Sequence, residues 1–199
     1  DNSTSALTNG TLAFTFYPSS FGVTTSATSL TAGSPVTLTL TAKDAAGATV
    51  TRYAGTVALS LTYVAPTSGL SGLSVSAISA STFASGVAAL SVSYPDAGQI
   101  SITVKDTTYV SGVTIQGTSS TLTSSPLKFV VERMPLPANL LGPYLNQPFD
   151  VRVRAVGADG VTMTPNYPGL ITLTGGAVAL STATHTFLPV TDKGSFLFT

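Results

Sequence analysis

The chain has no Cys and no Trp, a single His, and charged residues at only 8% of its 199 positions. Each scarcity excludes something. Without Cys there is no disulfide framework and no thiolate metal site, although this alone does not fix the redox compartment. Eight basic residues against eight acidic ones leave a net charge of zero. Such a surface cannot bind a phosphate backbone through counterion release, so nucleic acid is not an expected partner. Charge near zero also weakens repulsion between copies and favours association. No apolar run approaches the roughly 18 residues that a membrane-spanning helix needs, so no transmembrane segment is expected. The first ten residues, DNSTSALTNG, have neither the basic start nor the apolar stretch of a signal peptide, and any such leader is expected to have been removed.

What is present is apolar and hydroxylic. Hydrophobic residues make up 43% of the chain, with nine Phe and seven Tyr, enough to build a core. Ser and Thr together account for about 29% of the positions. The polar surface is therefore expected to be mostly hydroxyl rather than charge.

The dominant pattern has period two. Val36, Leu38, Leu40 and Ala42 alternate with Thr37, Thr39, Thr41 and Lys43. Successive side chains of a strand point to opposite faces, so the apolar set is expected inside and the Thr ladder in water. Similar alternation occurs at Val57–Leu61, Leu90–Val92, Ile100–Val104 and Leu127–Val131, with AGSP, DAAG, PTSG, ASG and PDAG as turn signals between such stretches. No window carries a helical repeat. The pattern predicts an all-β, antiparallel sandwich.

The pattern is also written twice. Aligning Pro35 with Pro148 puts Val36, Leu38, Leu40 and Ala42 on Phe149, Val151, Val153 and Ala155, and Gly47 on Gly160. Thr49 falls on Thr162 and Thr51 on Thr164; after one inserted residue, Tyr53 meets Tyr167, Gly55 meets Gly169 and Val57 meets Ile171. Phe83 matches Phe187, Gly86 matches Gly194, and LAFTFYP from Leu12 resembles LKFVVERMP from Leu127. Apolar and turn positions are kept while outward ones vary, as a buried face demands, because a slip of one residue would turn the core outward. The expected organisation is an N-terminal extension over 1–11, an immunoglobulin-like sandwich over 12–125 and a second, incomplete one over 126–199. The second copy has no counterpart of the Gly98–Val104 strand. That leaves two expectations: the chain is a window on a longer array of repeats, or a strand from another copy closes the gap. Leu12, Phe14 and Phe16 are the candidate donor strand.

Three stretches carry a resemblance: AGSPVTLTLTAKDAAGATVTRYAGTVALSL, GVAALSVSYPDAGQISITVKDTTY and PLKFVVERMP. Together they resemble the repeat region of MshQ-type proteins, which are linked to bacterial type IV (MSHA) pili, and the bacterial immunoglobulin-like domains of invasin type. The resemblance implies an envelope or surface-appendage role, with no catalytic residues and no cofactor to carry over.

Few residues could carry chemistry. His185 would have to serve any Ser–His–Asp triad, with Asp192 as its carboxylate, but no Ser lies in a G-x-S-x-G elbow, so an ordinary packed or exposed His is the expectation. The eight acidic residues are scattered without the D-x-D-x-D spacing of a Ca²⁺ loop, and no metal site is expected. Asp44, Asp96 and Asp159 precede glycines, where a carboxylate caps its own turn. Asp150, Arg152 and Arg154 share one face of one strand, a candidate docking face whose ordinary reading is a solvated surface. Tyr53 and Tyr167 each stand two residues before a glycine and are expected to pin a corner. Asn2 and Asn9 fit the glycosylation acceptor pattern.

The expected protein is a non-enzymatic structural or adhesive region of an extracellular, cell-surface or pilus-associated protein. Its expected partners are copies of itself or neighbouring repeats, and glycans. Two alternatives stand beside it: a filament subunit joined by strand exchange, and a carbohydrate-binding module that uses an exposed Tyr.

Overall fold

The computed structural model describes residues 17–69, 71–108, 114–134, 149–174 and 184–198. Among them there is no α-helix; one 3-10 turn, Ala80–Thr82, interrupts an otherwise all-β chain. The candidate donor strand Leu12, Phe14 and Phe16 and the acceptor residues Asn2 and Asn9 lie outside the described residues.

Two sheets form the first unit. One holds β1 (Ser20–Thr25), β3 (Pro35–Lys43) and β6 (Val87–Ser93), in the order β1-β3-β6. The other holds β2 (Ser29–Thr31), β9 (Leu122–Ser125), β7 (Gly98–Asp106), β4 (Val57–Ala65) and β5 (Ala77–Ile78), in the order β2-β9-β7-β4-β5, with β8 (Gln116–Thr118) also on β7. The first stretch of chain thus serves both sheets, leaving the first after β1 and joining the second as β2. There it runs parallel to β9, the one departure among the described strands from the antiparallel pairing expected throughout. This is the strand order of an immunoglobulin-like sandwich.

The period-two stretches supply the centre. Val36, Leu38, Leu40 and Ala42 of β3 face Val57 and Leu59 of β4 and Ile100, Ile102 and Val104 of β7 across one buried cluster, while Thr37, Thr39 and Thr41 lie on the outer side. Leu40 is fully buried. Truncating it removes its transfer energy and leaves a cavity, so Leu40→Ala should lower stability by about 2–5 kcal/mol. A shift of the urea midpoint at unchanged m-value checks this.

The second unit repeats the first sheet as β10 (Lys128–Arg133), β11 (Val151–Val156) and β14 (Ser195–Phe198), in the order β10-β11-β14. Its other described strands are β12 (Leu170–Thr172) and β13 (Thr184–Thr186), which pair with each other. Val151, Val153, Ile171, Phe187 and Phe198 form a separate small core.

The register revises the alignment of the two repeats at two places. Phe21 pairs with Ala42 as Phe129 pairs with Ala155, so the counterpart of Phe129 is Phe21 and not a residue of the Leu12 segment. Leu127–Val131 therefore opens the second unit and does not close the first. Its apolar side chains are also more exposed than alternation implied: Leu127, Phe129 and Val131 are all at least 40% exposed, and Phe129 is covered by the rings of Tyr167 and Phe187. The inserted residue also sits earlier than expected. Val50 N–H bonds to Ala42 O as Thr164 N–H bonds to Ala155 O, and Asp44 N–H bonds to Ala48 O as Gly157 N–H bonds to Thr162 O. Thr162 thus corresponds to Ala48, Thr164 to Val50 and Asn166 to Arg52. The extra residue falls in the turn at exposed Val161, because a turn can lengthen where a register cannot.

Candidate functional site at the inter-repeat junction

The corner tyrosines are structural. Tyr53 is buried and its hydroxyl donates to the Asp106 carboxylate. The ring leans over Gly55, where a Cβ would come within 2.7 Å of the ring carbon bearing the hydroxyl and of Asp106 Oδ2. Tyr167 lies over Gly169 in the same way. Each tyrosine closes an aromatic triad: Phe21, Tyr53 and Phe83 in the first unit, Phe129, Tyr167 and Phe187 in the second. The Y-x-G pattern is therefore a packing requirement, since only a residue without Cβ leaves room for the ring.

A second shared device is a two-residue hairpin. Ser85 and Gly86 both have positive φ, as do Lys193 and Gly194. A type I′ turn demands this at both central positions. The left-handed backbone of Lys193 is thus part of the repeat, whereas its ammonium is new, because Ser85 holds the equivalent position.

Two of the three turn carboxylates cap their own loops. Asp44 accepts from the N–H groups of Ala46 and Ala48 at 2.9 Å. Asp159 accepts from the N–H groups of Val161 and Thr162, and from the Thr162 hydroxyl. Asp96 does something else. It is fully buried, and its Oδ1 accepts from Ala97 N–H at 2.7 Å and from Asn166 N–H, in the second unit, at 2.9 Å. The Ser71 hydroxyl donates to Oδ2 at 3.3 Å, and the Ser124 hydroxyl donates to the Asp96 carbonyl at 2.6 Å. A second bond between the units runs from Ala158 N–H to Ala32 O, at 2.7 Å. Gly157 makes that approach possible, because a Cβ there would stand 2.8 Å from Ala32 O. The first unit carries Asp44 at the equivalent position.

The junction is buried and polar. Burial raises the Asp96 pKa above the usual carboxylate value, against the opposing bonds from Asn166, Ala97 and Ser71. Burial likewise pushes the Tyr94 phenol up to about 12, with Asn166 acting the other way. The Asn166 amide lies near enough to Tyr94 to influence it, but no bond of good geometry joins them, and Tyr94 Oη and Asn166 Nδ2 are buried without a partner. Beside them opens a cavity of about 320 Å³ lined by Pro66, Ser68, Gly69, Asn166, Pro189, Val190 and Lys193.

A sign for pH follows. With its folded pKa raised, Asp96 favours the folded state fully below its unfolded value, and that contribution is lost as pH rises through the folded pKa. Asp159 acts oppositely: the Thr162 hydroxyl and neighbouring amides lower its pKa, so its contribution is lost as pH falls below the ordinary value. Between neutrality and about pH 4, acidification should therefore relieve the Asp96 burial penalty. Asp96→Asn should flatten the stability profile in that window, which urea titrations at a series of pH values would show.

Other sequence candidates lie apart. Arg154 pairs with Glu132 across β10 and β11, and Glu132 stands opposite Arg152 in the register. The candidate docking face of Asp150, Arg152 and Arg154 thus includes a carboxylate from the adjacent strand, and the exposure of the Arg154–Glu132 pair makes it a weak stabiliser. His185 does meet Asp192, at 2.7 Å, and Asp192 also accepts from Leu188 N–H at 2.7 Å. The imidazole lies flat on Phe196, with centroids 3.3 Å apart. Among the described residues no Ser or Thr hydroxyl bonds to it, so the pair lacks the nucleophile of a triad. Among the described residues there is also no group of three or more His, Asp or Glu placed to hold a metal ion, and no helix long and apolar enough to cross a membrane.

The protein is an all-β chain of immunoglobulin-like sandwich units. It belongs to the family described as "Domain of unknown function (DUF6701), first Ig-like domain", which matches residues 3–118. No curated protein matches the chain. Among solved structures, it is similar to the D00-D0 domain of Intimin at 22% identity and a TM-score of 0.39, over 58% of this chain and 50% of that one. It is similar to the D0-D1 domain of Intimin at 17% identity and a TM-score of 0.38, over 88% of this chain and 81% of that one. The chain spans half the length of the first of these.

Proposed function

We propose that the chain is a non-catalytic, load-bearing and adhesive region of an extracellular surface protein, of the pilus-associated MshQ type. It holds its two immunoglobulin-like units in a fixed relative orientation. The observation that carries this reading is the junction, where a buried carboxylate of one unit accepts a backbone N–H of the next and a second backbone bond lies alongside. A flexible linker needs neither. A spacer that presents a surface away from a cell needs both, because stiffness sets its reach. Its partners on this reading are neighbouring repeats or further copies. A hydroxyl-rich, weakly charged exterior suits such contacts.

Immunolabelling of intact source cells tests the location, with permeabilised cells as the reference. The reading expects full signal without permeabilisation. Signal that appears only after permeabilisation contradicts it.

A further inference from the structure

The chain enters the sheets of the first unit at one pole and leaves them at the other. Ser20, at the start of β1, pairs with Lys43 at the end of β3. Ser125, at the end of β9, accepts from Ala32 N–H at 2.8 Å, just before β3 begins at Pro35. A pull along the chain therefore draws β1 and β9 in opposite directions, parallel to their own axes.

Two sets of backbone bonds lie across that pull. β1 is held against β3 from Ser20↔Lys43 to Thr25↔Leu38. β2 runs parallel to β9 from Ser29↔Thr123 to Thr31↔Ser125. Its ends are closed by the bonds from Thr123 N–H to Thr28 O and from Ala32 N–H to Ser125 O, both 2.8 Å. Ladder bonds run across the strands, so sliding one strand past another strains the whole row at once, whereas peeling breaks the bonds in turn. β1 and β2 are one stretch of chain split between two sheets, so neither sheet can release it alone. Side chains add to the hold: Phe21 and Val23 of β1 are buried, and Leu30 of β2 packs on the same core. Gly117 of β8 lies so close to Phe21 O that a Cβ there would collide. The second unit tightens the arrangement, because Ala158 N–H bonds to Ala32 O at the end of β2. Sliding β2 along β9 breaks that junction bond as well.

We propose that β1 and β2 together form a shear clamp that sets the resistance of the first unit to force. This deepens the load-bearing reading and rests on it for its biological meaning. The clamp itself is a property of the purified chain, so the force measurement and the immunolabelling of cells can each fail without the other.

The test holds the full chain by its two ends at constant force and times the step of roughly 350 Å that extends residues 20–125. Forced unfolding follows the unfolding rate and not the equilibrium stability. Two prolines each remove one loaded donor. Ser26 N–H bonds to Thr37 O, and alternate residues of an antiparallel strand face the same partner. Exposed Thr24 thus donates to β3, and Thr24→Pro deletes that bond. Thr123→Pro deletes the bond to Thr28. The comparison is Val92→Ala, a buried truncation in β6, where the pull neither enters nor leaves. Each proline should shorten the dwell time before the step by about tenfold or more. Val92→Ala should shorten it by less than about threefold, even where urea finds it as destabilised as the prolines. If a proline blocks folding, Leu30→Ala loosens β2 while keeping every backbone bond, and should shorten the dwell by more than about threefold. Dwell times that simply follow urea stability at every position, or clamp variants with an unchanged dwell, would overturn the proposal.

Discussion

Asp96→Ala should destabilise the protein by about 3 kcal/mol, because the Ala97 and Asn166 N–H groups lose their acceptor and stay buried. Asp96→Asn should cost less than about 1 kcal/mol at neutral pH, since Oδ1 can still accept both N–H groups and the burial penalty on a charge disappears. The contrast matters more than either value. Both substitutions remove the charge, but only alanine removes the acceptor shared with the second unit. Urea unfolding of the three proteins, followed by probes in each unit, would separate the effects. In Asp96→Ala the two units should also lose their common transition and unfold at different midpoints. Equal behaviour of the two variants would mean that the bond to Asn166 does no structural work.

Gly55→Ala should be nearly as damaging, at about 2–3 kcal/mol. The new methyl would meet the Tyr53 ring and the Asp106 carboxylate. Neither can give way easily, since Tyr53 is buried between Phe21 and Phe83. Its hydroxyl is bonded to Asp106 as well. In a Tyr53→Ala background the same change should cost much less, because most of what the methyl collides with is gone, and a double-mutant cycle measures the difference. Gly169→Ala should repeat the effect in the second unit, where Tyr167 occupies the same place. A cost below about 0.5 kcal/mol at Gly55 would show that the corner is slack and that the glycine serves another purpose.

Much of the fold was legible because one face of its central strands is buried. In β3, β4 and β7 that burial writes a period of two into the sequence, and the turns at Gly47 and Gly86 punctuate it. Shorter strands were not legible. β2, β5 and β8 have two or three residues each, too few to show a period. β1 carries only Phe21 and Val23 as its inward signal. The placement of the insertion failed for a related reason. Matching Thr49 and Thr51 with Thr162 and Thr164 by residue type favours the later insertion, and only the hydrogen bonds show that Thr162 stands for Ala48 and Thr164 for Val50.

The junction was the least legible part. Asp96 reads as a turn residue, and it does bond to the next N–H; nothing local says that a residue 70 positions away shares the same oxygen. Gly157, Asn166 and Lys193 look like drift between two copies until they are placed against the first unit. One signal was available. The carboxylate that caps this turn moves from Asp44 in the first repeat to Asp159 in the second, which leaves a glycine, Gly157, at the position where Ala32 comes close.

The central claim is that the two units move as one body. Backbone ¹⁵N relaxation of the full chain tests it most directly, since β3, β4 and β7 in one unit and β11 and β14 in the other report separately. A single rotational diffusion tensor that fits both sets of amides is the predicted result. Two independent correlation times, each suited to one unit tumbling alone, would contradict it.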